Sequence, residues 1–451
     1  MRRMPRSRRC RTRVRAGLRR RWERMIGKIL YEYKSLSKFR RAHDVSRPRM
    51  NDPSKPDLRP ATVTRGPAFV RQGNEWAIYR HLLSLAPASS PQLAQSTGLS
   101  KVTVTAALGN MERLGLVEQT GVRAGNAGRS PRLYAPRARA GFVVAVDVGA
   151  EWIRVAVADL TASIVARVER RTPARAAQLV DKIVELVESA LAETGAPRHD
   201  VLVTVLGSPG VLDAASNRLR LAPNLPNWER SDLIGSLREA LGADLVFEND
   251  INLATLGEQT HGVGREVQNF VFMSVGTGIG LGIVANGRLY RGARGFAGEI
   301  AIMPPARPRD GRSNDPTPAN FEASAAAKGI VASAHALGLT VDTAEAVFAG
   351  AKAGDAKALA CVAEEARQIA WGLASIIPVL DPALVVFGGG IGRSASLLLP
   401  AVQDHLTQWL PIELPRFAVS TTGTDAVLLG AIVHGIERAR TKAFERVGYA
   451  P

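Results

Sequence analysis

Two apolar, strand-like runs in this chain each open into a turn dominated by small residues, and they restrict the fold more than any other feature. Residues 142–148 run into Asp147-Val148-Gly149-Ala150-Glu151, and residues 271–275 run into Gly276-Thr277-Gly278-Ile279-Gly280-Leu281-Gly282 before the apolar run 283–285. A strand followed by Asp-x-Gly can present backbone N–H groups to phosphate while its carboxylate holds a magnesium ion or water; taken alone it is also an ordinary hairpin turn. Residues 152–158 and 164–168 read as further strands. A helix over 174–194 follows, with Leu179, Ile183, Leu186, Ala190 and Leu191 on its inner face. Strands followed by helices predict an α/β fold.

Ahead of this region the periodicity is helical. Trp76, Ile78, Tyr79, Leu82 and Leu83 predict a helix over 74–86. Ser90 as N-cap, Pro91 at the first helical position and Gly98 at the end predict a short second helix. Ser100 caps a third, which turns Val104, Ala107, Leu108, Met111 and Leu114 inward and Lys101, Thr103, Thr105 and Asn110 outward. Two β-like runs, 116–120 and 132–135, flank a loop containing Gly121, Arg123, Gly125, Gly128 and Arg129, which reads as a wing. A short helix, a glycine turn and a second helix with polar outward residues place a recognition helix in the major groove. The candidate DNA contacts are therefore Ser100, Lys101, Thr103, Thr105, Asn110, Arg123, Arg129 and Arg132. The competing reading, a small helical packing domain, leaves the basic residues without a purpose.

A chain of 451 residues has room for about three compact units. Its net charge of +18 is concentrated: residues 1–49 hold 19 Lys/Arg against Glu23, Glu32 and Asp44, so that arm alone carries +16. Such an arm binds phosphates without sequence preference; it also reads as an unfolded tail, or as residues preceding a true start at Met50. It lacks the apolar core of a secretory signal. Cys10 and Cys361 define no disulfide framework, which favours a reducing cytoplasm. The longest uncharged stretch, 267–287, is too polar and glycine-rich to cross a membrane.

Seven short motifs occur in one order: Asp147-Val148-Gly149, Gly207-Ser208-Pro209-Gly210, Ala222-Pro223-Asn224-Leu225-Pro226-Asn227-Trp228, Glu248-Asn249-Asp250, the Gly276–Gly282 run, Gly298-Glu299-Ile300 and Gly388-Gly389-Gly390. Together they resemble the ROK family (repressors, open reading frames and kinases) in its regulator branch, from about residue 74 to the C-terminus. Ser100-Lys101-Val102-Thr103-Val104 and Gly128-Arg129-Ser130-Pro131 resemble that branch's DNA-binding domain. The resemblance implies an actin-like, ribonuclease-H-type fold of two α/β lobes with sugar in the cleft, preceded by a winged helix-turn-helix. It implies that Asn224, Asn249, Asp250, Glu299 and Glu322 contact sugar hydroxyls, and that Asp250 stands where the family's kinases keep their general base. Carboxylates and amides suit the task, because a site built from them rejects ligands that leave a polar group unpaired. The alternative for each is a helix cap or a solvent-facing polar group.

Departures from the family pattern separate a sensor from a kinase. The kinase loop Asp-x-Gly-Gly-Thr ends here in Ala150 and Glu151, and a carboxylate in place of a hydroxyl repels phosphate. Asp147, Gly149, Gly276, Thr277, Gly278 and Gly280 then become vestiges of phosphate loops. The family's zinc element has Gly-His after Gly-Glu-Ile and a cysteine cluster beyond; here Ala301-Ile302 follow, and residues 304–321 contain no cysteine. Tetrahedral zinc needs thiolates or imidazoles, so neither zinc nor Mg-ATP is expected.

The readings combine into one expectation. Residues 1–66 form a basic arm and Pro-rich linker, 67–140 a winged helix-turn-helix, and 141–451 a sugar-kinase-like domain, its first lobe about 141–255 plus a returning helix at about 426–440 and its second about 256–425. The molecule is a cytoplasmic, sugar-responsive, non-catalytic repressor of carbohydrate genes, a homodimer or homotetramer on a palindromic double-stranded operator, with no membrane partner. An active sugar kinase fused to a DNA-binding domain is the alternative, on the strength of Asp250 and the glycine loop. A regulator answering to a protein partner is a third reading, motivated by Ile302 where the family has His.

Overall fold

A computed structural model describes residues 67–122, 131–175, 178–213, 218–222, 225, 228–230, 232–242, 244–305, 320–392 and 394–449. Helix α1 (Pro67–Leu85) begins seven residues before the expected start at 74 and buries Ile78, Tyr79 and Leu82. Strand β1 (Ala88–Ser89), too short for periodicity to reveal, precedes α2 (Ser90–Thr97). The N-cap of α2 is Ser89 rather than Ser90: Gln92 Oε1 accepts the Ser89 N–H at 3.0 Å, and Gly98 at φ 72° ends the helix. Ser100 Oγ accepts the Thr103 N–H at 3.1 Å and caps α3 (Lys101–Arg113), whose Val104, Ala107, Leu108 and Met111 are buried. Strands β2 (Val117–Val122) and β3 (Arg132–Pro136) pair antiparallel, and β1 adds to the far edge of β3. Three helices and this small sheet form a helical head, and the expected wing loop at 123–130 lies outside the described residues.

The first large sheet follows. β4 (Phe142–Val148), β5 (Trp152–Asp159) and β6 (Ile164–Arg171) run antiparallel, and helix α4 (Leu179–Thr194) begins five residues later than its pattern suggests. β7 (Val201–Ser208), a hairpin of β8 (Val211–Asp213) and β9 (Arg218–Arg220), α5 (Leu233–Leu241) and β10 (Leu245–Asn249) complete the lobe. The order is β10-β7-β4-β5-β6, with β4, β7 and β10 parallel. Helix α6 (Asp250–His261) then leads to β11 (Phe270–Val275), β12 (Ile279–Ala285) and β13 (Arg288–Leu289), followed by α7 (Phe321–Ala325), α8 (Ala327–Ala336), α9 (Ala344–Lys352) and α10 (Ala356–Leu380). β14 (Leu384–Gly388), α11 (Gly389–Gly392), α12 (Ala395–Trp409) and β15 (Arg416–Val419) finish the second sheet, ordered β13-β12-β11-β14-β15. Each sheet has its first strand central, an antiparallel hairpin on one side and two parallel strands on the other. That repeated topology is the actin-like, ribonuclease-H-type pair of lobes.

The last helix, α13 (Ala426–Arg446), returns to the first lobe and ends six residues past the expected end near 440. It packs on β4, β7 and α6, while α6 also lies on β11 and β12. The crossing of α6 and α13 is close because each helix offers a glycine. A methyl on Gly257 would overlap the Ala426 carbonyl, and one on Gly430 would overlap the Leu253 carbonyl. The buried side chains of α1–α3, the inner face of β4 and β7, and α13 form one continuous apolar cluster that includes Ile78, Leu108, Val143, Val205, Leu428 and Phe444. Among the described residues no helix is long and apolar enough to cross a membrane.

Candidate functional site

A cleft of about 1100 Å³ opens between the two sheets, and most of the expected sugar-contact residues converge on it. β10 ends at Asn249, which caps α6: its Oδ1 accepts the Ile251 and Asn252 N–H groups at 2.9 and 3.1 Å, and its Nδ2 donates to the Gly210 carbonyl at 3.2 Å. Capping therefore consumes the Asn249 oxygen. An amide carries two N–H donors, so one remains for a ligand. Asp250 is the first residue of α6 and lines the cleft. Glu299 follows Gly298, whose φ of 92° and close approach to the Leu281 carbonyl exclude a side chain. Glu322, from α7, accepts the Ile279 N–H at 3.2 Å and so ties the second lobe's glycine turn to the same wall. Asn224 lies outside the described residues, as do Arg123 and Arg129.

The carboxyls crowd one another electrostatically. Burial pushes Asp250 up to about 7, with the Asp147 charge adding to the shift and Glu299 adding less. Burial also raises Asp147 to about 6 against the opposing pull of Arg154. Glu299 is raised by burial and then by Glu322. A carboxyl raised on folding takes up a proton, so its contribution to stability is fully present below the unfolded value and is lost as pH rises through the folded one. For Asp250 that window runs from 3.8 to about 7. Thermal unfolding followed across it should show the Asp250 contribution falling as pH rises, by at most about 1.4 kcal/mol per pH unit. Asp250→Asn should flatten that slope, and an unchanged slope would show that Asp250 is ionised in both states.

The first phosphate-loop motif is closed on itself. Gly149 donates its N–H to the Trp152 carbonyl at 2.9 Å, and Thr172 Oγ1 donates to the Gly149 carbonyl at 2.7 Å, so the turn is a sealed hairpin. Arg154, directly across the β4–β5 ladder from Asp147, pairs with the Asp147 carboxylate at 3.1 Å and lies 3.3 Å from Glu169 on β6. A guanidinium thus holds the oxygen that a nucleotide's magnesium would need. Glu151 is exposed at the mouth of the cleft, and the Glu345 carboxylate reaches to 3.9 Å from where a side chain on Gly390 would begin. These residues do not fit a magnesium–nucleotide pair.

The second glycine run is only partly a loop. Gly276-Thr277-Gly278 form the turn, closed by a 2.9 Å bond from the Gly276 N–H to the Gly278 carbonyl. Gly280 belongs instead to β12, where a methyl would come within 2.9 Å of Ile251. Its lack of a side chain, like that of Gly282 opposite Thr255, lets α6 lie against the strand. Ala301 and Ile302 line the cleft beyond Glu299, Ile302 being 60% exposed. No group of three His, Cys, Asp or Glu among the described residues could hold a metal ion, and the donor set after Glu299 does not suit zinc.

Periodicity and motifs did not reveal two pairings. The first is Arg154 with Asp147, which hairpin register alone could have located. The second is Glu248 with Arg291: Oε2 pairs with the Arg291 guanidinium at 2.6 Å, while Oε1 accepts the Asn249 N–H at 3.0 Å and the Asn252 amide at 2.9 Å. That carboxylate joins the start of α6 to the loop that carries Glu299.

In the helical head, Lys101 and Thr105 are exposed on α3, Ser100 and Arg132 are exposed, and Thr103 is half-buried beside Ser100. Asn110 departs from the outward face expected of it. Its amide donates to Glu75 Oε1 at 2.8 Å and to the Tyr449 hydroxyl at 3.3 Å, because α1 and the segment after α13 cover that end of α3.

Comparison with known proteins agrees with the fold. The model for the ROK family matches residues 143–435. The chain is 28% identical to the xylose repressor of Bacillus subtilis (strain 168) over 52% of its own length and spans 61% of that repressor. It is 30% identical to a glucokinase of Halalkalibacterium halodurans over 64% of its own length and 93% of the glucokinase. A solved ROK-family transcriptional regulator, described as a homolog of the E. coli MLC protein, superimposes with a TM-score of 0.67 over 84% of this chain and 99% of that one, at 20% identity. That last likeness speaks for the fold alone.

Proposed function

The chain belongs to the ROK family, and from that premise we propose that it is a DNA-binding repressor whose cleft senses a sugar without phosphorylating it. The observation that carries this reading is the Arg154 guanidinium seated on Asp147, with Glu151 beside it, where a phosphoryl donor would have to be held. Phosphoryl transfer depends on positioning the donor and neutralising its charge, and a carboxylate already paired internally does neither.

In this reading the sugar hydroxyls bond to Asp250, Glu299 and Glu322, with Asn249 and Asn224 contributing amides. Asp250 and Asn249 enter from the first lobe's sheet, whereas Glu299 and Glu322 enter from the second. A ring held by both therefore favours one lobe separation, and such a ligand shifts an equilibrium only by its differential affinity for the two arrangements. The head reads a double-stranded, palindromic operator through Lys101, Thr103 and Thr105 of α3, with Ser100, Arg132, Arg123 and Arg129 toward the backbone, in a homodimer or homotetramer. Asp250 near neutrality also suits a general base, which keeps the fused-kinase reading as the second one.

The deciding experiment titrates a monosaccharide panel against operator binding without ATP and measures phosphate transfer with ATP on the same preparation. The expected result is a sugar-dependent shift in operator affinity, no turnover above background, and a loss of sugar affinity of about 10- to 100-fold in Asp250→Asn, the worth of a hydrogen bond to a charged group. Robust transfer by the unmodified protein, abolished in Asp250→Asn, would instead establish the kinase.

A further inference from the structure

The half of the cleft away from Asp250 and Glu299 is a built cavity with walls of its own. The Gly276 turn, Gly390 and the Glu345 carboxylate meet at its floor: Gly390 N lies 3.6 Å from where a side chain on Gly276 would begin, and Glu345 stands beside Gly390. One face of α8, with Lys328 and Ala332 exposed, forms a side wall. The space is continuous with the sugar end, and the combined volume of about 1100 Å³ lies just above the roughly 300–1,000 Å³ usual for small-molecule sites. One sugar ring fills only the Asp250 end.

Charge decides what fits the remainder. Glu151, Asp342 and Glu345 line the cleft against Lys328 and His335, and the Arg154 guanidinium is paired with Asp147, with Glu169 3.3 Å away. Phosphate is therefore disfavoured. A neutral polyol is favoured, because carboxylates accept from adjacent hydroxyls while the Ala332 and Val331 surface can take the apolar face of a ring. We propose that the effector is a neutral disaccharide, its first ring held at Asp250 and Glu299 and its second between the Gly276 turn, Glu345 and α8. This rests on the sugar-sensing reading above and names the ligand class for the same cleft.

Calorimetric titration of the full chain tests the proposal with cellobiose, xylobiose, maltose and sucrose, their constituent monosaccharides, and sucrose 6-phosphate as an anionic probe. At least one neutral disaccharide is expected to bind tenfold or more tightly than its monosaccharides, and the phosphate to bind more weakly than sucrose. Ala332→Trp, on an exposed helical position, should abolish the disaccharide gain and leave monosaccharide affinity unchanged. Glu345→Lys should reduce the gain for neutral disaccharides and narrow the penalty on the phosphate. Equal affinity for both sizes of sugar, or a gain that survives Ala332→Trp, overturns the second-ring site while leaving sugar sensing intact. Binding of none of the probes, with operator binding retained, overturns the sugar reading itself.

Discussion

Gly430→Ala is expected to lower stability by about 3 kcal/mol, the upper part of the range for overpacking, because the added methyl would overlap a backbone carbonyl rather than a side chain that can rotate away. Gly430 faces Leu253 in α6, and Gly257 faces Ala426 in α13, so neither helix can yield without the other. At roughly 2–4 °C per kcal/mol for a domain of this size, the melting temperature should fall by on the order of 10 °C. Gly109→Ala is the internal control. Gly109 lies in α3 with nothing within 4 Å of the new methyl, and relief of glycine's backbone entropy there should stabilise by about 0.5–1 kcal/mol. Opposite signs from one chemical change, read by thermal unfolding, test whether the α6–α13 crossing is as close as described. A neutral Gly430→Ala would show that the helices can part freely.

The same contrast explains what the amino-acid sequence could and could not reveal. Features set within a few residues were legible: the Ser100 cap, the Gly98 stop, the inward faces of α3 and α4, and the Asp147 and Gly276 turns. Features set by partners distant in the chain were not. Arg154 reads as one more residue of an apolar strand until β4 is laid beside it, and the Gly276–Gly282 run reads as one loop until α6 is laid on Gly280 and Gly282. Asn249 shows the ambiguity of such motifs, since a sugar-site amide and the helix cap observed there look alike in sequence. Asn110 failed for the complementary reason: its helical phase matches the outer face, but the chain terminus returns to cover it. Of these, the Asn110–Tyr449 pairing lies at the head end of α13, whose other end starts just after cleft-lining Thr424.

Under the proposed sensor function, the segment after α13 should control the response rather than the binding. The chain enters α13 just after Thr424, which lines the cleft, and leaves it at the head, where the Phe444 ring packs edge-on against Trp76 at 4.8 Å and Tyr79 at 5.0 Å. The Tyr449 hydroxyl donates to the Glu75 carboxylate, which is 1% exposed and also accepts from Asn110 of α3. In Tyr449→Phe that buried carboxylate loses a donor, and a hydrogen bond to a charged group is worth about 1.5–3 kcal/mol, the size of a typical allosteric coupling. The expected result is sugar affinity within about twofold of the unmodified protein, with most of the sugar-induced change in operator affinity lost. Glu75→Gln should produce a similar loss, and the double variant should be no worse than either single one, because contacts within one network are not additive. Operator titrations with and without sugar on the three variants check this. A full response in Tyr449→Phe, or losses that simply add, would place the connection between cleft and head somewhere other than the Tyr449–Glu75–Asn110 contact.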